Sequence, residues 1–162
     1  MTARWGVAAL LAVAAPAAAQ DAVPSLAAWH GTWIGEGTAF GRAATATLII
    51  KGAPDGGATA LAYRLMVPGT PPIDYAAEAI YRVDAKGRVR GSWTDNGGRT
   101  RPIGGRVAGS EWHNIWGSAD VEIGRSTYDL EADGTLVVRD SVLRDDGGWR
   151  VFSVLRYRRN NG

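Results

Sequence analysis

Cysteine is absent from this chain of 162 residues, and histidine occurs only twice. The first absence excludes a disulfide framework, a lipid-modified cysteine and thiolate chemistry. The second leaves no set of three or four converging ligands with metal-site spacing, so no metal is expected. Long hydrophobic runs are also missing: the apolar stretch near the N-terminus is too short to cross a bilayer, and no membrane span is expected. Charge of one sign is not in excess either, with 18 Lys plus Arg against 16 Asp plus Glu and a formal net charge of +2. Arginines scattered among acids do not make the basic face that a nucleic-acid partner needs. Such a chain must stand on its apolar core alone, and its length is enough to bury one.

What is abundant is glycine, at 22, and tryptophan, at 7. Glycine suits tight turns and close strand approaches, whereas tryptophan and β-branched residues suit a pleated surface. At the N-terminus Arg4, the apolar run Val7 to Val13, Pro16 and the small residues Ala17, Ala18 and Ala19 follow the order of a bacterial export signal. The organisation expected is a signal peptide over 1–19 cut near Ala19, a lead segment over 20–28 and one domain over 29–160. The mature chain would then be periplasmic or secreted; the alternative is a retained N-terminal anchor.

The mature chain falls into ten apolar-alternating runs: Trp29 to Phe40, Ala44 to Lys51, Thr59 to Val67, Tyr75 to Asp84, Arg88 to Thr94, Thr100 to Val107, Ser110 to Trp116, Val121 to Glu131, Thr135 to Arg144 and Trp149 to Arg158. Short turns such as Asp55-Gly56-Gly57, Asn96-Gly97-Gly98 and Asp145-Asp146-Gly147-Gly148 separate them. Short turns make sequential strands neighbours, and a ten-strand meander without helix cover must close or leave open edges. The fold expected is therefore all-β: one closed antiparallel up-and-down barrel. Period-two alternation places Trp29, Trp33, Leu48, Tyr63, Tyr81, Trp93, Trp112, Asn114, Trp116, Ser126, Tyr128, Asp140, Trp149, Ser153 and Tyr157 on the inner face. A barrel of this strand count is wide enough to keep a lumen for a ligand.

Gly31-Thr32-Trp33, preceded by Trp29 and opening the first strand of such a meander, resembles the start of the calycin barrels: lipocalins, fatty-acid-binding proteins, avidins and nitrobindin-like haem proteins. Gly91-Ser92-Trp93-Thr94-Asp95, Gly124-Arg125-Ser126-Thr127-Tyr128 and the last strand resemble an uncharacterised exported bacterial branch of that group. The resemblance implies a barrel that holds a small molecule, and it carries over no activity. Two departures matter. Arg156 and Tyr157 are adjacent, so the Arg-x-Tyr carboxylate clamp of the fatty-acid carriers is absent. The last two strands contain no histidine, and His30 and His113 sit on outward parity, so no cofactor, haem included, is expected.

Among residues able to do chemistry, Asp140 lies between Val138 and Val142 in a core-like strand, and a buried carboxylate must be paired or protonated. Arg99 and Arg101 share the inward parity of Ile103 and are candidate partners; Arg125 becomes one if a bulge turns it inward. Asp95 precedes Asn96-Gly97-Gly98 and is expected to bond turn backbone. Ser126, His113 and Asp140 contain the residue types of a hydrolytic triad, but no nucleophile elbow accompanies them and His113 has the wrong parity.

The function expected is binding of a small, largely apolar molecule inside the barrel. The candidate ligand-binding residues are Trp33, Tyr63, Tyr81, Trp93, Arg101, Trp112, Asn114, Tyr128, Asp140 and Trp149, with Trp33 equally suited to plug the base. The alternative is an enzyme of the same fold, with Asp140 as base and Tyr128 as acid in proton transfer on a hydrophobic substrate. A third possibility is an interaction module or inhibitor, requiring Ile34, Ile49, Met66, Ile80 and Phe152 to form one exposed patch. The sequence sets no oligomeric state.

Overall fold

The computed structural model describes residues 24–118, 120 and 122–161. The expected export signal over 1–19 and the start of the lead segment lie outside the described residues. A 3₁₀ turn, Ala27–Trp29, leads into ten strands: β1 Gly31–Ala39, β2 Arg42–Gly52, β3 Thr59–Val67, β4 Ile73–Val83, β5 Arg88–Asp95, β6 Thr100–Ala108, β7 Glu111–Ser118, β8 Glu122–Leu130, β9 Leu136–Leu143 and β10 Trp149–Arg159. Each strand pairs antiparallel with the next, and β1 pairs with β10 from Trp33 opposite Arg159 to Ala39 opposite Ser153. The sheet is thus a closed up-and-down barrel with no free edge, as the short turns require.

Three local departures from the alternating pattern follow from backbone geometry. Trp29 ends the 3₁₀ turn and does not begin a strand. Phe40 sits in a two-residue hairpin loop with Gly41, at φ +52° and +74°, the twist that lets β1 and β2 pair tightly from Ala39 opposite Arg42. In β10 the register shifts between Val151, opposite Ser141, and Ser153, opposite Asp140. That bulge leaves Phe152 as an extra residue and reverses the facing of everything before it.

Trp149 is the casualty of that reversal. The uninterrupted alternation that put Trp149 and Val151 inside fails, and Val151 is exposed. Trp149 instead lies against the Arg125 guanidinium, 4.6 Å from its ring centroid, and Arg125 stays on the outward parity opposite Ser141.

One end of the barrel is sealed. Leu26, Trp29, Trp33 and Trp112 are each no more than 2% exposed there. Trp29 meets Trp112 edge-on at 6.1 Å, and Trp33 Nε1 donates to the Trp29 carbonyl at 2.9 Å. Arg159 lies 4.3 Å from the Trp33 ring centroid and donates to the carbonyls of His30 and Ala28, tying the end of β10 to the 3₁₀ turn. The opposite end carries the β1–β2, β3–β4, β5–β6, β7–β8 and β9–β10 connections, and the lumen opens toward it.

Candidate functional site

The lumen holds a cavity of about 290 Å³. An apolar cavity of roughly 150 Å³ is enough to take up benzene, so this one has room for a molecule of one or two rings. Small inward residues, Ala44 and Ala46 on β2 and Ala77 and Ala79 on β4, leave space that bulkier side chains would fill.

Seven of the ten expected ligand-binding residues line the cavity: Tyr63, Tyr81, Trp93, Arg101, Asn114, Tyr128 and Asp140. Three do not. Trp33 belongs to the seal at the base, Trp149 is turned outward by the bulge, and Trp112 is fully buried in the seal beneath the floor. There Trp112 stacks on Tyr128 at 4.2 Å, meets Tyr81 edge-on at 4.8 Å, and gives its indole N–H to Asn114 Oδ1 at 2.8 Å. Trp112 therefore positions three wall residues without touching the lumen.

The wall has a floor, a middle and a mouth. Tyr81, Tyr128 and Tyr157 form the floor above the tryptophan seal. Tyr157 fits because Gly35 stands opposite it on β1; a Cβ there would collide with the phenol ring. Tyr63 packs against Tyr75 at 6.2 Å and Trp93 at 5.9 Å, and Trp93 Nε1 donates to Tyr75 Oη at 2.8 Å. Phe40 and Phe152 stack at 5.2 Å at the mouth.

No protein-family model matches the chain, and no curated protein matches it. The chemistry of the lumen accordingly rests on its own side chains.

Asp140 is the polar centre. Ser126 Oγ donates to Asp140 Oδ1 at 2.6 Å, and Trp116 Nε1 donates to the same Ser126 oxygen at 3.0 Å. Burial raises the Asp140 carboxyl to about 6; the Ser126 and Ser153 hydroxyls favour its ionised form but offset only part of that rise. Ser153 stands directly across the ladder, short of full hydrogen-bond geometry. The expected arginine partner is not there. Among the described residues, no cation lies within ion-pair distance of Asp140.

Arg101 is claimed elsewhere. Its Nη1 donates to Asp95 Oδ2 at 3.0 Å, with the two side chains only 14% and 4% exposed. Asp95 also accepts the amides of Gly97 and Arg99 at 3.0 Å each, the turn role its sequence predicts. Burial pushes the Asp95 carboxyl up, but the Arg101 hydrogen bond and the two amides outweigh it and hold it below the ordinary value. Arg99 lies on the solvent side, with its side chain 71% exposed. Arg101 still faces the cavity, its guanidinium 5.9 Å from the Trp116 ring centroid.

Four buried polar atoms on this wall fall short of full hydrogen-bond geometry: Tyr81 Oη, beside Tyr128; Tyr157 Oη, beside Tyr63; Ser153 Oγ, beside Asp140; and Arg101 Nε. Burial pushes the hydroxyls of Tyr63, Tyr81, Tyr128 and Tyr157 well above the ordinary phenol range, so all four remain neutral donors and acceptors.

His113 does not join Ser126 and Asp140; it faces solvent 3.3 Å from Glu111. His30 sits 3.4 Å from Thr59 near the sealed end, and neither histidine lines the cavity. Among the described residues, no three His, Asp or Glu side chains gather as metal ligands.

Trp116, Ser126, Ser153 and Tyr157 also line the cavity, and their inward parity was readable in advance. Phe40 and Phe152 were not, since one depends on a turn and the other on the bulge. Phe152 consequently leaves the supposed outer patch. In that patch Ile34, Ile49, Met66 and Ile80 each stand directly opposite small, polar or charged residues: Thr47 and Arg158, Thr32 and Ala62, Thr45 and Asp74, Ala60 and Ser92.

Proposed function

We propose that the protein is an exported, calycin-like carrier that holds a small, largely apolar molecule of one or two rings in the barrel lumen. The observation that supports this most is the wall itself: a cavity of about 290 Å³ with nine aromatic rings among its lining residues and buried polar atoms whose hydrogen bonds are incomplete. A leftover packing void would be lined by apolar groups, whereas unpaired buried polar atoms each cost about 1–3 kcal/mol and are kept where a ligand or water completes them. The experiment is titration of the mature chain with a panel of one-ring and two-ring apolar compounds, read by tryptophan emission, because Trp93 and Trp116 face the lumen. Saturable quenching is expected. A flat response to the whole panel, with no small molecule extractable from protein purified from its native source, sinks the reading.

A second reading is favoured by one observation, the Asp140 carboxyl raised to about 6 on a wall of neutral tyrosines. A base poised near neutrality beside a phenol can move a proton on a hydrophobic substrate, with Asp140 as base and Tyr128 as acid. Asp140→Asn separates the two: an enzyme loses turnover and keeps binding, while a carrier has no turnover to lose.

A further inference from the structure

The lumen has an uncompensated charge, and its sign selects a ligand class. Among the charged residues that line it, Arg101 is neutralised by Asp95 at 3.0 Å. Arg150 and Glu122 are exposed at the mouth, opposite in sign and screened by water. Asp140 is half-buried inside the lumen with no charged partner, and its anchor is a serine hydroxyl, which carries no charge. Its strand neighbours on the same face are Val138 and Val142, so an apolar side chain would fit the fold, and a lone enclosed carboxylate is costly to keep.

The surroundings of Asp140 favour a cation as the missing partner. Tyr63, Tyr81, Tyr128 and Trp93 present aromatic rings to the same cavity, and the faces of such rings attract positive charge. The Tyr81 and Tyr157 hydroxyl oxygens, neither in a hydrogen bond of full geometry, can accept N–H bonds. An anion would meet the Asp140 carboxylate midway along the lumen, and the enclosed cation on the same wall, Arg101, is already paired with Asp95. Resting on the reading that the lumen binds a ligand, we infer that the ligand is a small organic cation, a protonated amine on one or two rings, with its ammonium seated on Asp140.

Three isosteric probes test this by calorimetry at pH 8: 1-naphthylmethylamine, 1-naphthylmethanol and 1-naphthoate. The amine is expected to bind at least about tenfold more tightly than the alcohol, and the carboxylate most weakly, a tenfold ratio corresponding to about 1.4 kcal/mol. Asp140→Asn is expected to weaken the amine about tenfold and so bring amine and alcohol within about threefold of each other. Should that variant fail to fold, the native protein gives the same answer by pH. The polar groups sharing the lumen with Asp140 are Asn114 on β7, Glu122, Ser126 and Tyr128 on β8, Arg150, Ser153 and Tyr157 on β10, Tyr63 on β3, Tyr75 and Tyr81 on β4 and the Asp95-paired Arg101 on β6. Burial raises all five tyrosine hydroxyls, so they stay neutral, and the carboxyl at about 6 gains a proton over this range. Amine affinity should fall about tenfold from pH 8 to pH 5, with the alcohol unaffected. Equal binding of amine and alcohol, tightest binding of the carboxylate, or an amine preference that survives Asp140→Asn overturns the inference and leaves the lumen a binding site. Failure of all three probes overturns the binding reading as well.

Discussion

Ser126 and Asp140 face each other across the β8–β9 ladder with 2.6 Å between hydroxyl and carboxylate, and the Trp116 indole donates to the same hydroxyl from behind. Serine thus stands where an arginine was expected. A hydroxyl orients the carboxylate but offsets only part of its lost hydration, which is why the carboxyl rises.

That rise makes stability depend on pH in a stated direction. Asp140 goes from an ordinary value of 3.8 to about 6 on folding, so the native state holds this proton more tightly than the unfolded chain. Its contribution is full below about pH 3.8 and is lost as pH rises through about 6, on the order of 2–3 kcal/mol in all. The carboxyls of Asp84, Asp95 and Asp133 are held below the ordinary value, so they act in the opposite sense and at lower pH. Urea unfolding of the native chain and Asp140→Asn at pH 4.5 and 7.5 checks this. The variant should gain on the native protein between the two pH values; parallel pH slopes would refute it.

The Gly35 and Tyr157 pairing predicts an overpacking cost. Gly35→Ala drives a methyl into the phenol ring on the β1–β10 ladder, and the ring has the sealed base beneath it. A loss of about 1–3 kcal/mol is expected, seen as a Tm lower by roughly 3–10 °C. Gly104→Ala is the control, because a Cβ there meets nothing within 4 Å; its change should stay within about 0.5 kcal/mol.

The barrel was legible because alternation and turn chemistry agree along almost the whole chain: Leu48, Ile50, Leu61, Leu65, Trp112, Val138 and Leu155 are buried where parity puts them. The site was legible where a strand runs unbroken, which is why Tyr63, Tyr81, Asn114, Tyr128 and Asp140 reach the lumen. Trp149 and Phe152 were not legible, since a single extra residue in β10 exchanges their faces and no residue type announces it. Parity also says nothing of depth along the barrel, so Trp33 and Trp112 share the inner face with the lining residues yet end in the seal. The choice of Arg101 for Asp95 depends on the height of the β5–β6 turn, a three-dimensional fact that spacing does not encode.

Trp112 and Asn114 form a buried polar pair whose coupling can be measured. Each is at most 1% exposed, and the indole donates to the amide oxygen at 2.8 Å. Asn114→Leu strands the indole N–H and should cost about 1–3 kcal/mol. Adding Trp112→Phe removes the stranded donor, so the double variant should be less destabilised than the two single losses added together. Strict additivity in urea unfolding would mean that the hydrogen bond contributes nothing.

Phe40 and Phe152 predict how the lumen is entered. Phe40 is 52% exposed and held at φ +52°, a left-handed backbone that a bulky residue seldom adopts. Its amide donates to the Phe152 carbonyl at 2.7 Å, and the two rings stack over the mouth. Asparagine tolerates that backbone better and suits a two-residue hairpin loop, so Phe40→Asn should leave stability unchanged or raise it by up to about 1 kcal/mol. It also strips one ring from the entrance. Stopped-flow quenching with 1-naphthylmethanol should then show association and dissociation both several-fold faster, with the equilibrium affinity moved far less, because one barrier governs both directions. Unchanged rates would place the entrance elsewhere on the rim.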